Sequence, residues 1–135
     1  MENGPSPLNR RLRMTREARA LTLEELGRKT GLNLGTISRL EREPRDPRAS
    51  SLVRLAEALE VSVPFLLGTE DHDLDFPVAL RRQALRRFLS IIAYDDQQRV
   101  HFEELCFFDS APNSIRGWQD LTQNYNFLQT HKFLD

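Results

Sequence analysis

Arg39, Arg42 and Arg45 follow one another at helical or near-helical spacing, and Arg48 stands just past Pro47. A guanidinium carries five N–H donors in a planar fork, a shape matched to the paired oxygens of a phosphate or to the edge of a guanine. The same stretch, "GLNLGTISRLEREP" (residues 31–44), begins with Leu34 and Gly35, whose side chains neither donate nor accept. Hydroxyl and amide groups stand nearby at Thr22, Asn33, Thr36 and Ser38. Together these residue types suit an anionic surface. They do not suit covalent chemistry. His72, His101 and His131 are far apart and none adjoins a nucleophile. His101 with Cys106 is too small a donor set for a zinc site. Neither a phosphate-cradling glycine loop nor an HExxH pair is present. The sequence therefore assigns no catalytic residue, no metal and no cofactor, and the expectation is that the chain is not an enzyme.

The elements that would carry these groups are helices. Pro7 suits a first turn and opens a helix to about Ala20, with Leu8, Leu12 and Thr15 on one face. Thr22 and Glu25 form a capping box for the second helix, which Gly31 ends in the left-handed conformation open to glycine. Asn33 caps a third helix to about Arg42. "SSLVRLAEALE" repeats apolar residues at Leu52, Leu55, Ala56 and Leu59, and "VPFLLG" adds a fifth turn. Two short helices joined by a tight glycine turn read as a helix-turn-helix. The acidic "TEDHDLD" that follows has almost no apolar content and marks a boundary. Beyond it, helices are expected from Pro77 to about Ala93, over "QQRVHFEELCFF", and from Ser114 to about Phe133. The expected class is all-α: an arm at 1–6, a five-helix unit at 7–68, an acidic linker at 69–76 and a three-helix unit at 77–135.

The run from Leu8 to Leu67 resembles the XRE (Cro/CI-type) helix-turn-helix family. It matches at Arg16, "LTLEEL", Gly31, "ISRLE", Pro47, "LAEAL" and the closing "FLL". That resemblance implies a sequence-specific, DNA-binding transcriptional regulator that lays helix 33–42 in the major groove of double-stranded DNA. It implies base contacts from Leu34, Gly35, Thr36 and Arg39, and an internal ion pair between Arg16 and Glu41. Helix N-termini, hydroxyls and cations bind phosphates, so the backbone contacts expected are Thr22, Asn33, Ser38, Arg42, Arg45 and Arg48. Two positions depart from the family: Leu23 stands where glutamine is frequent, and Glu43 where glycine usually lets the chain turn.

Net charge is −1, but it is divided unevenly. Residues 1–68 hold 12 Lys+Arg against 9 Asp+Glu, while residues 69–135 hold 7 against 11. The acidic half carries ten aromatic rings, more than three helices bury easily. A homodimer is expected, with Leu85, Phe88, Leu89, Ile92, Trp118, Leu121 and Tyr125 at its interface, and repression as its role. "FFDSAPNSIRGWQDLTQNY" resembles the end of radiation-response repressors that a zinc metallopeptidase inactivates, which implies a regulatory metallopeptidase or other protein partner acting near Asp109–Ser114. The alternative is an antitoxin or adaptor whose acidic half holds a protein partner. No run approaches the ~20 apolar residues of a membrane span, no signal-peptide segment opens the chain, and Cys106 is the single cysteine. A cytoplasmic location is the corresponding expectation.

Overall fold

The computed structural model describes residues 8–71 and 73–132, with side chains as far as residue 123. The expected arm at 1–6, Pro7, His72 of the linker, the expected helix end at Phe133 and the side chain of Tyr125 lie outside the described residues. All the regular structure described is helical, in two compact units that divide at Asp75 and Phe76.

The first unit contains α1 (Leu8–Ala18), α2 (Leu23–Thr30), α3 (Leu34–Arg42), α4 (Ala49–Leu59) and α5 (Val63–Leu67). Its five helices follow the expected order. Leu12, Leu26, Ile37, Leu40, Leu55, Leu59, Phe65 and Leu66 are all buried, so each helix gives its apolar stripe to one core. α1 packs on α3 and α5, and α2 on α3 and α4. α1 stops at Ala18 rather than Ala20. Ala20 takes φ 57°, and the Leu21 N–H turns back to the Arg16 carbonyl at 3.1 Å. Arg11 is itself part of the interior. Its Nε donates to the Phe65 carbonyl at 2.6 Å, and its guanidinium lies 4.4 Å from the Phe65 ring centroid. Burial pushes its pKa below the usual arginine value, against the opposing pull of Asp71 and Glu70.

The second unit contains α6 (Phe76–Leu89), α7 (Asp96–Leu105) and α8 (Ile115–Lys132). α6 ends four residues before the expected Ala93, where the Ser90 hydroxyl donates to the Arg87 carbonyl at 2.6 Å and competes with the next helical turn. α7 opens on a capping box: Asp95 accepts from the Gln98 N–H at 2.7 Å, and Gln98 accepts from the Asp95 N–H at 3.1 Å. It closes in i→i+3 bonds at Cys106, Phe107 and Phe108, so "CFF" is a loosened turn and not the end of the helix. Ala84, Leu85, Phe88, Leu89, Phe102, Cys106 and Trp118 form the core, and the Phe102 and Trp118 rings meet nearly edge-on at 5.8 Å. The Cys106 thiol is buried and donates weakly to the Phe102 carbonyl at 3.5 Å. Desolvation pushes its pKa up to about 11.

This core changes the expected interface. Leu85, Phe88, Leu89 and Trp118 are at most 9% exposed within a single chain, so they have almost no area to give to a second one. Ile92 and Leu121 are half-buried against the same core. The rings and aliphatic groups left in solvent are others: Ile91, Tyr94, Val100, Phe107 and Phe108.

Candidate nucleic-acid interface

α3 is set by two reciprocal devices at its approach. At the start of α2, the Thr22 hydroxyl accepts from the Glu25 N–H at 3.0 Å, and the Thr22 N–H donates to Glu25 Oε1 at 2.8 Å. These bonds, led by the one from the Thr22 backbone, hold the Glu25 carboxyl below the usual carboxylate range. At its end, Gly31 adopts φ 75° and its N–H reaches the Gly27 carbonyl at 2.8 Å. An L-residue there would be strained. The Thr30 hydroxyl donates to the Leu26 carbonyl at 2.8 Å and accepts from the Leu32 N–H at 3.2 Å, which closes the turn. Asn33 Oδ1 then accepts from the Gly35 N–H at 2.7 Å and begins α3.

Behind α3 stands an ion pair. Arg16 donates to Glu41 from Nε at 2.7 Å and from the second terminal nitrogen at 3.0 Å, and to the Leu21 carbonyl at 2.8 Å. Glu41 is 8% exposed and faces inward. The two-point hydrogen bond raises the Arg16 pKa above its usual value. α1 and α3 are thereby locked at one angle, and the opposite face of α3 is left outward.

That outward face holds Leu34, Gly35, Thr36 and Arg39 together. Leu34 is 43% exposed, Arg39 is exposed, and Thr36 is half-buried. The Arg39 guanidinium lies back over Gly35: a Cβ built there would sit 3.9 and 4.0 Å from its two terminal nitrogens, and 3.1 Å from Asn33 Oδ1. Beside this face, α3 and the loop after it enclose an open groove of about 510 Å³, lined by Thr36, Arg39, Arg45, Asp46, Arg48 and Ser51 among others. The arginines differ in what occupies them. Arg42 Nε donates to the Ser38 hydroxyl at 3.3 Å. Arg45 Nε donates to Glu43 Oε1 at 2.8 Å. Among the described residues, the Arg39 guanidinium holds no hydrogen bond or ion pair. Arg48 is the N-cap of α4 and makes no side-chain cap, and Ser51 in the first turn of α4 lines the groove. Thr22 lies at the start of α2, outside the residues that line the groove.

A helix-turn-helix family model matches residues 12–66. The Bacillus subtilis (strain 168) protein RghRB, an uncharacterized HTH-type transcriptional regulator, is 34% identical over 130 residues, which cover 93% of each chain. A second protein of that strain, the uncharacterized HTH-type transcriptional regulator YobD, is 37% identical over 79 residues, 58% of this chain and 68% of its own. The chain belongs to the helix-turn-helix transcriptional regulators. A solved SinR protein/SinI protein complex contains a chain similar to this regulator at 26% identity and a TM-score of 0.48, over 72% of this chain and 91% of that one.

Two features of this DNA-binding regulator were missed in the sequence. Asp46 and Ser51 line the groove, a consequence of the loop's path that spacing does not reveal. The Glu43–Arg45 pair was signalled by opposite charges two residues apart across Pro44, a separation at which an extended chain brings them to the same side. At the other end of the chain, His101 is exposed and Cys106 lies in the core, so the structure does not bring those two donors into one open site. No helix among the described residues is long and apolar enough to cross a membrane.

Proposed function

We propose that this regulator binds a specific duplex operator as a homodimer and acts as a repressor, with α3 in the major groove. The observation that carries the reading is the state of Arg39: exposed, extended along the first turn of α3, and the one arginine of the α3 face with its donors uncommitted among the described residues. Such a group forms a bidentate contact with guanine O6 and N7, worth about 1–3 kcal/mol of discrimination. Leu34 packs on a thymine methyl, Gly35 admits close approach, and Thr36 meets a methyl or a phosphate. Thr22, Asn33, Ser38, Arg42, Arg45 and Arg48 hold the backbone on either side, and the uncapped start of α4 adds its N–H groups to Arg48. In this reading residues 7–68 bind DNA, 69–76 connect, and 77–135 join two copies.

The test is competition between an operator recovered by selection from a random duplex library and a random-sequence duplex. Arg39→Ala is expected to lose about tenfold or more in preference for the operator while random binding changes little. Equal loss on both duplexes overturns Arg39 as the base reader.

A second reading is favoured by Phe107 and Phe108, which are 59% and 61% exposed beside the exposed Asp109 and Ser110. In it the second unit holds a different protein, either the toxin partner of an antitoxin or a regulatory metallopeptidase. Sedimentation of the purified chain separates the two, since a monomer at micromolar concentration excludes the homodimer.

A further inference from the structure

The stretch from the end of α3 to the start of α4 is less cationic than its arginines suggest. Between residues 39 and 48 there are four arginines, but Glu43 and Asp46 stand among them, with Glu41 already committed to Arg16. Glu43 takes the extended C-cap conformation at the end of α3 (φ −124°, ψ 144°), which swings its carboxylate onto the Arg45 side. There it receives the Arg45 Nε hydrogen bond at 2.8 Å.

We propose that Glu43 is an electrostatic brake on DNA affinity: it occupies Arg45 in the free protein and sets a fixed negative charge where the phosphate backbone must approach. The proposal rests on the DNA-binding reading above and adds to it a residue that lowers affinity for every sequence. The hydrogen bond from Arg45, with the nearby charges of Arg42 and Arg39, keeps the Glu43 carboxyl below the usual range, so it stays ionised at neutral pH. The pair is solvent-exposed, with side chains 52% and 43% accessible. An exposed pair holds weakly, so a phosphate can draw Arg45 away. The carboxylate then remains beside that phosphate without its cation. Non-specific binding is almost entirely electrostatic, so a brake of this kind trims the background against which Arg39 must discriminate.

The experiment uses the full chain, a random-sequence duplex and the selected operator, with binding measured from 50 to 300 mM salt. Glu43→Gln keeps the shape and the hydrogen-bond acceptor but removes the charge. It is expected to bind the random duplex about 3- to 10-fold more tightly at 150 mM salt. The slope of log K against log salt should steepen by up to about 0.9, the value for one further phosphate neutralised. In an Arg45→Ala background the same change should give a clearly smaller gain, because part of the effect runs through Arg45. Unchanged or weaker binding by Glu43→Gln overturns the brake; weaker binding would mean that Glu43 orients Arg45 for its phosphate. A gain that is undiminished without Arg45 overturns the pairing and leaves only a general charge effect. Failure of the parent reading looks different: the unmodified protein would then show no salt-dependent affinity for either duplex.

Discussion

Glu41 sits between Arg39 and Arg42 yet has no part in the groove. Its carboxylate is turned inward to the Arg16 fork, and both side chains are mostly out of water. Attraction in such a pair roughly offsets the cost of desolvating two charges, whereas removing one partner strands the other. Glu41→Ala is therefore expected to destabilise the protein by about 3 kcal/mol, and the double change Arg16→Met with Glu41→Leu by much less. Urea denaturation of the two variants beside the parent checks this; equal losses for the single and double changes would refute it. The pH dependence follows the same pair. Arg16 has its pKa raised on folding, so its contribution is complete below the unfolded arginine value and is lost only in extreme alkali. The position of this pair was legible only through the family resemblance, because nothing in the spacing of 25 residues announces it. The commitment of each arginine was not legible at all. Arg39, Arg42 and Arg45 look alike as letters. What separates them is whether Ser38 or Glu43 lies within reach.

The helices were legible where an end is fixed by local chemistry. Thr22 with Glu25, and Asn33, each satisfy N–H groups that the helix itself leaves open. Thr22→Ala is expected to cost about 1 kcal/mol and to loosen α2, which thermal melting with amide exchange over residues 23–27 would register; unaltered protection there would count against the cap. Glu25 has a depressed pKa, so its part in the cap is present above the unfolded value near 4.5 and is lost as pH falls through the lower folded value. α2 should thus loosen at its start on acidification. Ends without such chemistry were misjudged: α6 gives out at Ser90, and "CFF" unwinds into turns. One glycine mattered in a way its neighbours concealed. A Cβ at Gly117 would fall 2.6 Å from Pro112 Cβ, within the first turn of α8. Gly117→Ala should therefore destabilise the second unit by about 1–3 kcal/mol despite alanine's better helix propensity. A melting temperature at or above that of the parent would show that the Pro112 loop can move aside.

The chain folds as two compact units, 1–75 and 76–135, each with its own core. The all-helical class and the order of the helices could be read because apolar periodicity and caps are local signals. Which rings would be covered could not. Burial depends on how three helices close on one another, and Trp118 and Phe88 went inward while Phe107 and Phe108 stayed out. If the second unit joins two copies, a chain ending at Asp75 should sediment as a monomer. It should also bind the operator at least tenfold more weakly than the full chain, since linked half-sites raise effective concentration. A truncated chain that still dimerises would place the contact in the first unit.

The burial of Cys106 has a bearing on signals. Only a thiolate reacts readily with peroxide or a disulfide. With a pKa near 11, about one molecule in ten thousand carries one at neutral pH. The residue is also fully buried, in the same core as Phe102 and Trp118. The one cysteine of this regulator is thus deaf to mild oxidants, and DNA binding should proceed alike in reducing and oxidising buffers for as long as the second unit stays folded.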